Sequence, residues 1–288
     1  MTTVRPPATV PDRESRRSEL AELLELDPAL LSDGARLRDD LHVDSLAMMV
    51  LLTWLEERGV IIESETDRPS TVDDVLDLVG KASFPGLSIT FNDPADGFGG
   101  LVTRVLPTIS SGDPLAPVMV DHGFRLDPVT PEDVPFLYSL AAQPETSFRW
   151  RYRGAPPAID RFVNDMWQQV LVQYVARRVT DNRQAGHVIA YAAEASMHHC
   201  YVAAAFSPPF TNTGAAAQVV ALTVRYLFHT FPLQKIYLEV PGFNYQQIAS
   251  GEGRFFTVEG RLRNHAYYAG RYWDQYLCAV YRPDEFTR

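Results

Sequence analysis

Ser45 lies in Asp44-Ser45-Leu46, directly ahead of a run in which Leu46, Met49, Val50 and Trp54 recur at helical spacing. Its hydroxyl is therefore expected to be exposed at a helix N-terminus, where a serine read alone is a cap accepting a backbone N–H. A second constellation is the turn Thr211-Asn212-Thr213-Gly214-Ala215-Ala216 ahead of an apolar helical run. Backbone N–H groups at such a helix start can bind a pyrophosphate, and Gly214 and Ala216 let the backbone come close. Read alone, one Gly before a helix is also a simple turn. Glu239, in the strand-like stretch 235–240, reads by itself as a strand acid paired with an Arg such as Arg261. The adjacent pair His198-His199 has a spacing that suits neither a base nor a metal site.

The elements that must position these groups fall into two sets. In the first, Leu20, Leu23 and Leu24 mark a helix between residues 14 and 26 that Asp27-Pro28 ends. The Ser45 helix closes at Arg58-Gly59, and Ser70-Thr71-Val72-Asp73-Asp74 opens a short last helix. Asp44, Glu56 and Glu57 form either a recognition face or a solvated one. From 81 to 123 the composition shifts to Gly, Pro, Ser and Asp, which reads as an inter-domain segment with short ordered pieces at 87–91 and 101–106.

The second set begins at Phe124-Arg125-Leu126, a short strand, followed by the helix start Thr130-Pro131-Glu132-Asp133. Strands are expected at 170–179, 188–195 and 201–206, with His198-His199 in a turn. A helix through Val219, Leu222 and Leu227 and a strand at 235–240 complete a crossover unit. Phe148, Trp150, Tyr152 and Trp167, with Arg149, Arg151 and Arg153, either line an acceptor pocket or form an aromatic core edged by solvated arginines.

The 288 residues are 46% hydrophobic and 22% charged, enough for two cores. Residues 1–80 hold 18 Asp and Glu against eight Arg and no Lys, so the whole formal charge of −10 resides there. An acidic small domain beside a neutral larger one argues against nucleic acid and fits docking on basic patches of partner proteins. No stretch is apolar enough to span a membrane, and residues 1–11 do not read as a secretory signal, so a cytoplasmic setting is expected. Cys200 and Cys278 read as buried thiols.

Leu37-Arg38-Asp39-Asp40-Leu41 leading to Asp44-Ser45-Leu46 resembles the phosphopantetheine attachment site of acyl carrier proteins, and the resemblance covers residues 13–80. It implies an all-α four-helix carrier bundle, 4'-phosphopantetheine on Ser45, a phosphopantetheinyl transferase as partner, and biosynthetic enzymes docking on the acidic surface. His42 departs from the pattern, standing where Gly is usual. Residues 124–282 resemble the GNAT acetyltransferase superfamily, nearest its ribosomal-protein N-terminal acetyltransferase branch. The resemblance rests on Phe206-Ser207-Pro208, the 211–216 turn, Ile236-Tyr237-Leu238-Glu239-Val240, Asn244 and the tail from Val258 to Asp274.

That second resemblance implies an α/β GNAT fold over 124–288 with a mixed, mostly antiparallel sheet, and acyl-CoA as cosubstrate. The implied binding residues are Phe206, Ser207, Thr211, Asn212, Thr213, Gly214, Ala215, Ala216 and Asn244. Glu239 matches the branch's general base. The branch's usual acid, a Tyr, would align near Gly251 and is absent; Ser250 is the implied replacement, with Tyr245, Tyr267 and Tyr268 as alternatives. Thr211 stands where Arg or Gln is usual. Together the two resemblances imply acyl transfer between a CoA or phosphopantetheine thioester and an amine, with thiol and hydroxyl acceptors as alternatives, in polyketide or nonribosomal-peptide type biosynthesis, or else an inactive GNAT-like scaffold that docks a carrier or partner enzyme.

Overall fold

The structure is a computed structural model that describes residues 12–60, 62, 68–81, 116–148, 150–194, 196 and 198–283. The chain divides into two compact units, residues 1–93 and 94–288. The pieces expected at 87–91 and 101–106, and Arg149, lie outside the described residues.

In the first unit three α-helices are described: α1 (Arg13–Leu24), α2 (Ser45–Glu57) and α3 (Val72–Lys81), with a 3-10 turn at Pro28–Leu30. The expected four-helix bundle is thus three helices and one short turn among the described residues. Asp27 caps that turn with Pro28 at its first position, and residues 63–67 are outside the description. Helix α2 is the centre because it is apolar nearly all round, burying every position from Leu46 to Leu55 except Ala47. Leu20 and Leu23 of α1 and Val75, Leu76 and Val79 of α3 are buried as well. Arg13 reaches Asp73 and Asp77, and Arg16 donates to the Leu76 carbonyl at 2.9 Å, fixing α1 against α3. Gly59, at φ 77°, reverses the chain after α2.

The second unit is one eight-stranded sheet with strand order β1-β2-β3-β4-β5-β6-β8-β7. Its strands are β1 (Val120–Asp121), β2 (Phe124–Pro128), β3 (Val170–Arg178), β4 (Gln184–Glu194), β5 (His199–Phe206), β6 (Lys235–Pro241), β7 (Thr257–Tyr268) and β8 (Arg271–Tyr281). Every pairing is antiparallel except β5 with β6, so the expected mixed, mostly antiparallel sheet is present. Strand β1 draws the end of the expected linker into the sheet. Strands β4 and β5 start earlier than the sequence pattern suggests, which moves His199 from a turn into β5.

Helices lie on both faces. Helix α7 (Ala215–Thr230) crosses between the parallel strands and buries Val219, Leu222, Leu227 and Phe228. On the other face α4 (Val134–Ala142), α5 (Pro144–Ser147) and α6 (Ile159–Asp165) bring Leu137, Ala141 and Phe162 onto Val175 and Ile189. Asp133 closes a capping box with Thr130 and also accepts from Arg177 and Gln184, tying this layer to β3 and β4. Gly186 is required for strand contact: a Cβ there would stand 2.7 Å from the Ala205 carbonyl and the Phe206 ring.

His187 sits in the core beside Trp150, its Nε2 2.9 Å from Gln173 Oε1. Burial pushes its pKa down from 6.5 to about 3. Between those values the unfolded chain binds a proton that the folded unit does not, so stability rises with pH through that window. The urea midpoint of the second unit is expected to fall as pH is lowered from 7 toward 4, and His187→Leu should flatten that slope.

Candidate active site

The site is set by a break in strand pairing. Strands β5 and β6 are in register only at His199↔Lys235, Cys200↔Ile236 and Tyr201↔Tyr237. Beyond that point β5 continues on β4 to Phe206, and β6 continues on β8 to Pro241. The facing edges of 202–206 and 238–241 therefore open as a wedge with its apex at Tyr201 and Tyr237. Their backbone groups are unpaired with each other, which is the condition for admitting an extended ligand as a surrogate strand.

One arm of the wedge leads into the turn at 207–214. Asn212 and Gly214 take left-handed conformations, φ 59° and 84°, and no side chain caps α7 at Gly214. Thr211 is exposed and its hydroxyl donates to the Pro208 carbonyl at 2.8 Å, so this position presents no cation. The Thr213 hydroxyl donates to the Phe210 carbonyl, holding the turn. Ser207 is tied to β4 through its hydroxyl and amide, both donating to the Ala185 carbonyl. Phe206 and Ala215 are buried and Ala216 is half-buried, so these residues contribute backbone and shape.

The other arm leads into α8 (Gly242–Tyr245), where Asn244 Oδ1 is buried without a hydrogen-bond partner among the described residues. A buried acceptor left open in this way costs about 1–3 kcal/mol unless a ligand supplies a donor. With the uncapped helix start at Gly214, it fits the residue set to a ligand that carries both phosphate and amide groups, as coenzyme A does.

Glu239 lies two residues past the apex on β6 and is exposed on the face shared with Tyr237. It makes no ion pair among the described residues. Arg261, its expected partner, binds Asp274 instead. Burial and then the Glu239 charge raise the phenols of Tyr191, to about 12, and of Tyr201. These two rings and Tyr237 form a contiguous patch, with centroids 5.6 Å apart for Tyr191–Tyr201 and 5.3 Å for Tyr201–Tyr237. His199 packs edge-on against Tyr237, and His198 makes an Nδ1 contact of 2.9 Å with the Pro232 carbonyl.

Ser250 is exposed on the 3-10 turn Ala249–Gly251. The three tyrosines left as alternatives are otherwise engaged. Tyr245 stacks on Tyr276 and donates to Glu252, and burial followed by that bond raises its pKa. Tyr268 stacks on Phe148 at 3.9 Å, and Tyr267 packs edge-on against Tyr272 at the exposed β7–β8 hairpin. Of the aromatic residues read as either an acceptor pocket or a core, Trp150 is buried, Tyr152 packs against the same cluster, and Trp167 is exposed. The tyrosine patch was missed; its signal was a Tyr at each of three strand positions whose pairing brings them to one face. Cys200 and Cys278 are buried, and burial pushes both thiols up to about 12.

Residues 124–249 match the profile of a family described as acetyltransferase (GNAT) domain. The second unit contains this match. In fold it is similar to spermidine N-acetyltransferase from Vibrio cholerae, solved with CoA and spermine, at 17% identity and TM-score 0.51 over 58% of this chain and all of that one. A GNAT-family acetyltransferase from Bacillus anthracis is 16% identical over 57% of this chain and 98% of that one, with TM-score 0.48. No curated protein matches the chain.

Ser45, in the first unit, is the first residue of α2 and not its cap. Asp44, at φ −77° and ψ 179°, caps the helix by accepting from the Leu46 and Ala47 amides at 3.0 and 2.8 Å. The Ser45 side chain is half-buried and makes no hydrogen bond to the described residues. His42 adopts φ 54°, a left-handed conformation that explains why a Gly is usual at that position. His42→Gly should stabilise the first unit by about 0.5–1 kcal/mol, because the left-handed cost of a side chain exceeds the entropy cost of Gly. The urea midpoint checks it.

Proposed function

We propose that this GNAT domain transfers an acyl group from a CoA or phosphopantetheine thioester to an amine, and that the fused first unit carries phosphopantetheine on Ser45. The observation that carries the reading is the wedge between β5 and β6, with a helix start lacking a side-chain cap at Gly214 on one arm, an unsatisfied Asn244 oxygen on the other, and Glu239 just past its apex.

In this reading the Ala216 and Ala217 amides at the start of α7 hold phosphate, and Asn244 Oδ1 accepts from an amide of the pantetheine arm. The thioester, when bound, supplies an activated acyl carbon and a thiolate leaving group. Glu239 takes the proton from the incoming ammonium, which must be neutral to attack, and Ser250 is the proposed donor toward the departing sulfur. Thr211, where the resemblance has Arg or Gln, weakens the hold on the nucleotide end. A donor carried on Ser45 presents a single phosphate, for which such a turn suffices.

On the first unit, the free Ser45 hydroxyl at a helix start suits a phosphodiester. Its acidic surface suits basic partner enzymes, and joining carrier and transferase in one chain raises their effective concentration. The setting proposed is assembly of a polyketide or nonribosomal-peptide type metabolite. The Thr211 substitution also favours a second reading, an inactive scaffold. Amine-dependent release of thiol, measured from acetyl-CoA and from full-length protein acetylated on its phosphopantetheine arm, separates them: turnover of either thioester supports transfer, and both left intact with every amine support the scaffold.

A further inference from the structure

We infer that Phe148 is a positioning residue that sets the opening of the β5–β6 wedge. This rests on the donor site read above and deepens it. At the apex the two arms are held at a fixed separation by strand pairing, which ends at Tyr201↔Tyr237. Beyond that point β5 pairs with β4 and β6 with β8, so backbone pairing does not set how far apart the arms stand at the open end. A ligand lying between them needs that separation fixed, since a displacement of about 1 Å at a reacting group costs on the order of 10²-fold in rate.

The chain around Phe148 reaches both arms. On the β5 side, Trp150 stands edge-on to His187, whose register partner on β5 is Ala205, and Ala203 and Ala205 pack on the buried cluster that contains Trp150. On the β6 side, the Phe148 ring lies 6.0 Å from that of Phe243 on α8 and stacks on Tyr268 at 3.9 Å and 6°. Phe243 also meets Tyr268 at 4.8 Å and Trp273 at 5.5 Å, and the Trp273 indole donates to the Tyr268 carbonyl, so these rings pack as one unit with the β7–β8 hairpin. Behind Phe148 the Thr146 hydroxyl donates to the Leu140 carbonyl of α4 at 2.6 Å, and the Trp150 amide donates to the Ser147 carbonyl. Phe148 and Trp150, two residues apart, thus tie the open end of β5 to α8. Tyr245, stacked on Tyr276, holds α8 to its own arm, whereas Phe148 holds it toward the other. Asn244, whose buried Oδ1 is offered to the pantetheine arm, stands between Phe243 and Tyr245, so a shift of α8 moves that acceptor with it.

The test is calorimetric titration of CoA and of 4'-phosphopantetheine into full-length protein that bears no arm on Ser45, with urea midpoints measured alongside. Phe148→Ala and Tyr268→Ala should each raise Kd by about tenfold, the scale of one lost stacking contact behind a binding group. Tyr138→Ala removes contacts to Phe162 and to the Pro157 carbonyl within the same helical layer. It should lower the urea midpoint and leave Kd unchanged, which a merely structural role for Phe148 would not distinguish. An unchanged Kd in Phe148→Ala, or one raised equally in Tyr138→Ala, overturns the inference while leaving the donor site standing. Binding of neither ligand to the parent protein overturns the donor-site reading itself and the inference with it.

Discussion

Glu239→Gln lowers kcat for amine acetylation by about 10²–10⁴, the range in which a positioned general base contributes. KM for acyl-CoA should be little changed, because the wedge, the helix start at Gly214 and Asn244 are untouched. The defect should shrink as pH approaches the amine's own pKa, where free amine no longer needs a base. A steady-state pH profile of both proteins checks this. The reason to expect so large an effect is that Glu239 is an exposed carboxylate with no ion pair among the described residues, whereas the neighbouring Asp274 and Glu259 are neutralised by Arg261 and Lys235. A structural acid would have such a partner, and its removal would register in stability before activity.

Ser45→Ala removes the whole mass gain that the protein is expected to show on incubation with CoA and a phosphopantetheinyl transferase. The same variant should unfold within about 0.5 kcal/mol of the parent, because Asp44 provides the cap and the Ser45 hydroxyl has no described partner. Were Ser45 the cap, its loss would cost about 1 kcal/mol. Intact mass and a urea titration, run side by side, separate the two roles of this residue. A parent protein that gains no mass would leave the first unit as a helical docking module.

The elements that local pattern controls were legible in the sequence. Helix α2 was visible because its apolar residues are continuous, and Gly59 and the Ser70–Asp74 contacts ended and opened helices as their chemistry dictates. Which of two adjacent capping residues would act was not legible, since both Asp and Ser are good caps and only the extended conformation of Asp44 decides. The strand-helix-strand crossover was readable, but the wedge was not. It arises where two strands far apart in sequence stop pairing, a non-local event with no signature in either strand.

The same limit explains the site. Glu239 could be named, yet its freedom depends on Arg261 choosing Asp274 across the β7–β8 hairpin. Tyr191, Tyr201 and Tyr237 converge only through register. Trp150 read as either a pocket or a core aromatic, and it is core, in one buried cluster with Phe162, Val175 and Ile189 and edge-on to His187. His42 was a visible irregularity in the sequence, and its left-handed backbone gives that irregularity a cost.

The most direct test follows the acetyl group itself. Phosphopantetheinylated full-length protein is mixed with isotopically labelled acetyl-CoA and a panel of primary amines, and label is located by mass on the amine and on the Ser45 arm. The account predicts label on the amine for the parent and its near absence for Glu239→Gln. Label that reaches the amine equally in both proteins, or acetyl-CoA recovered intact from both, would contradict it.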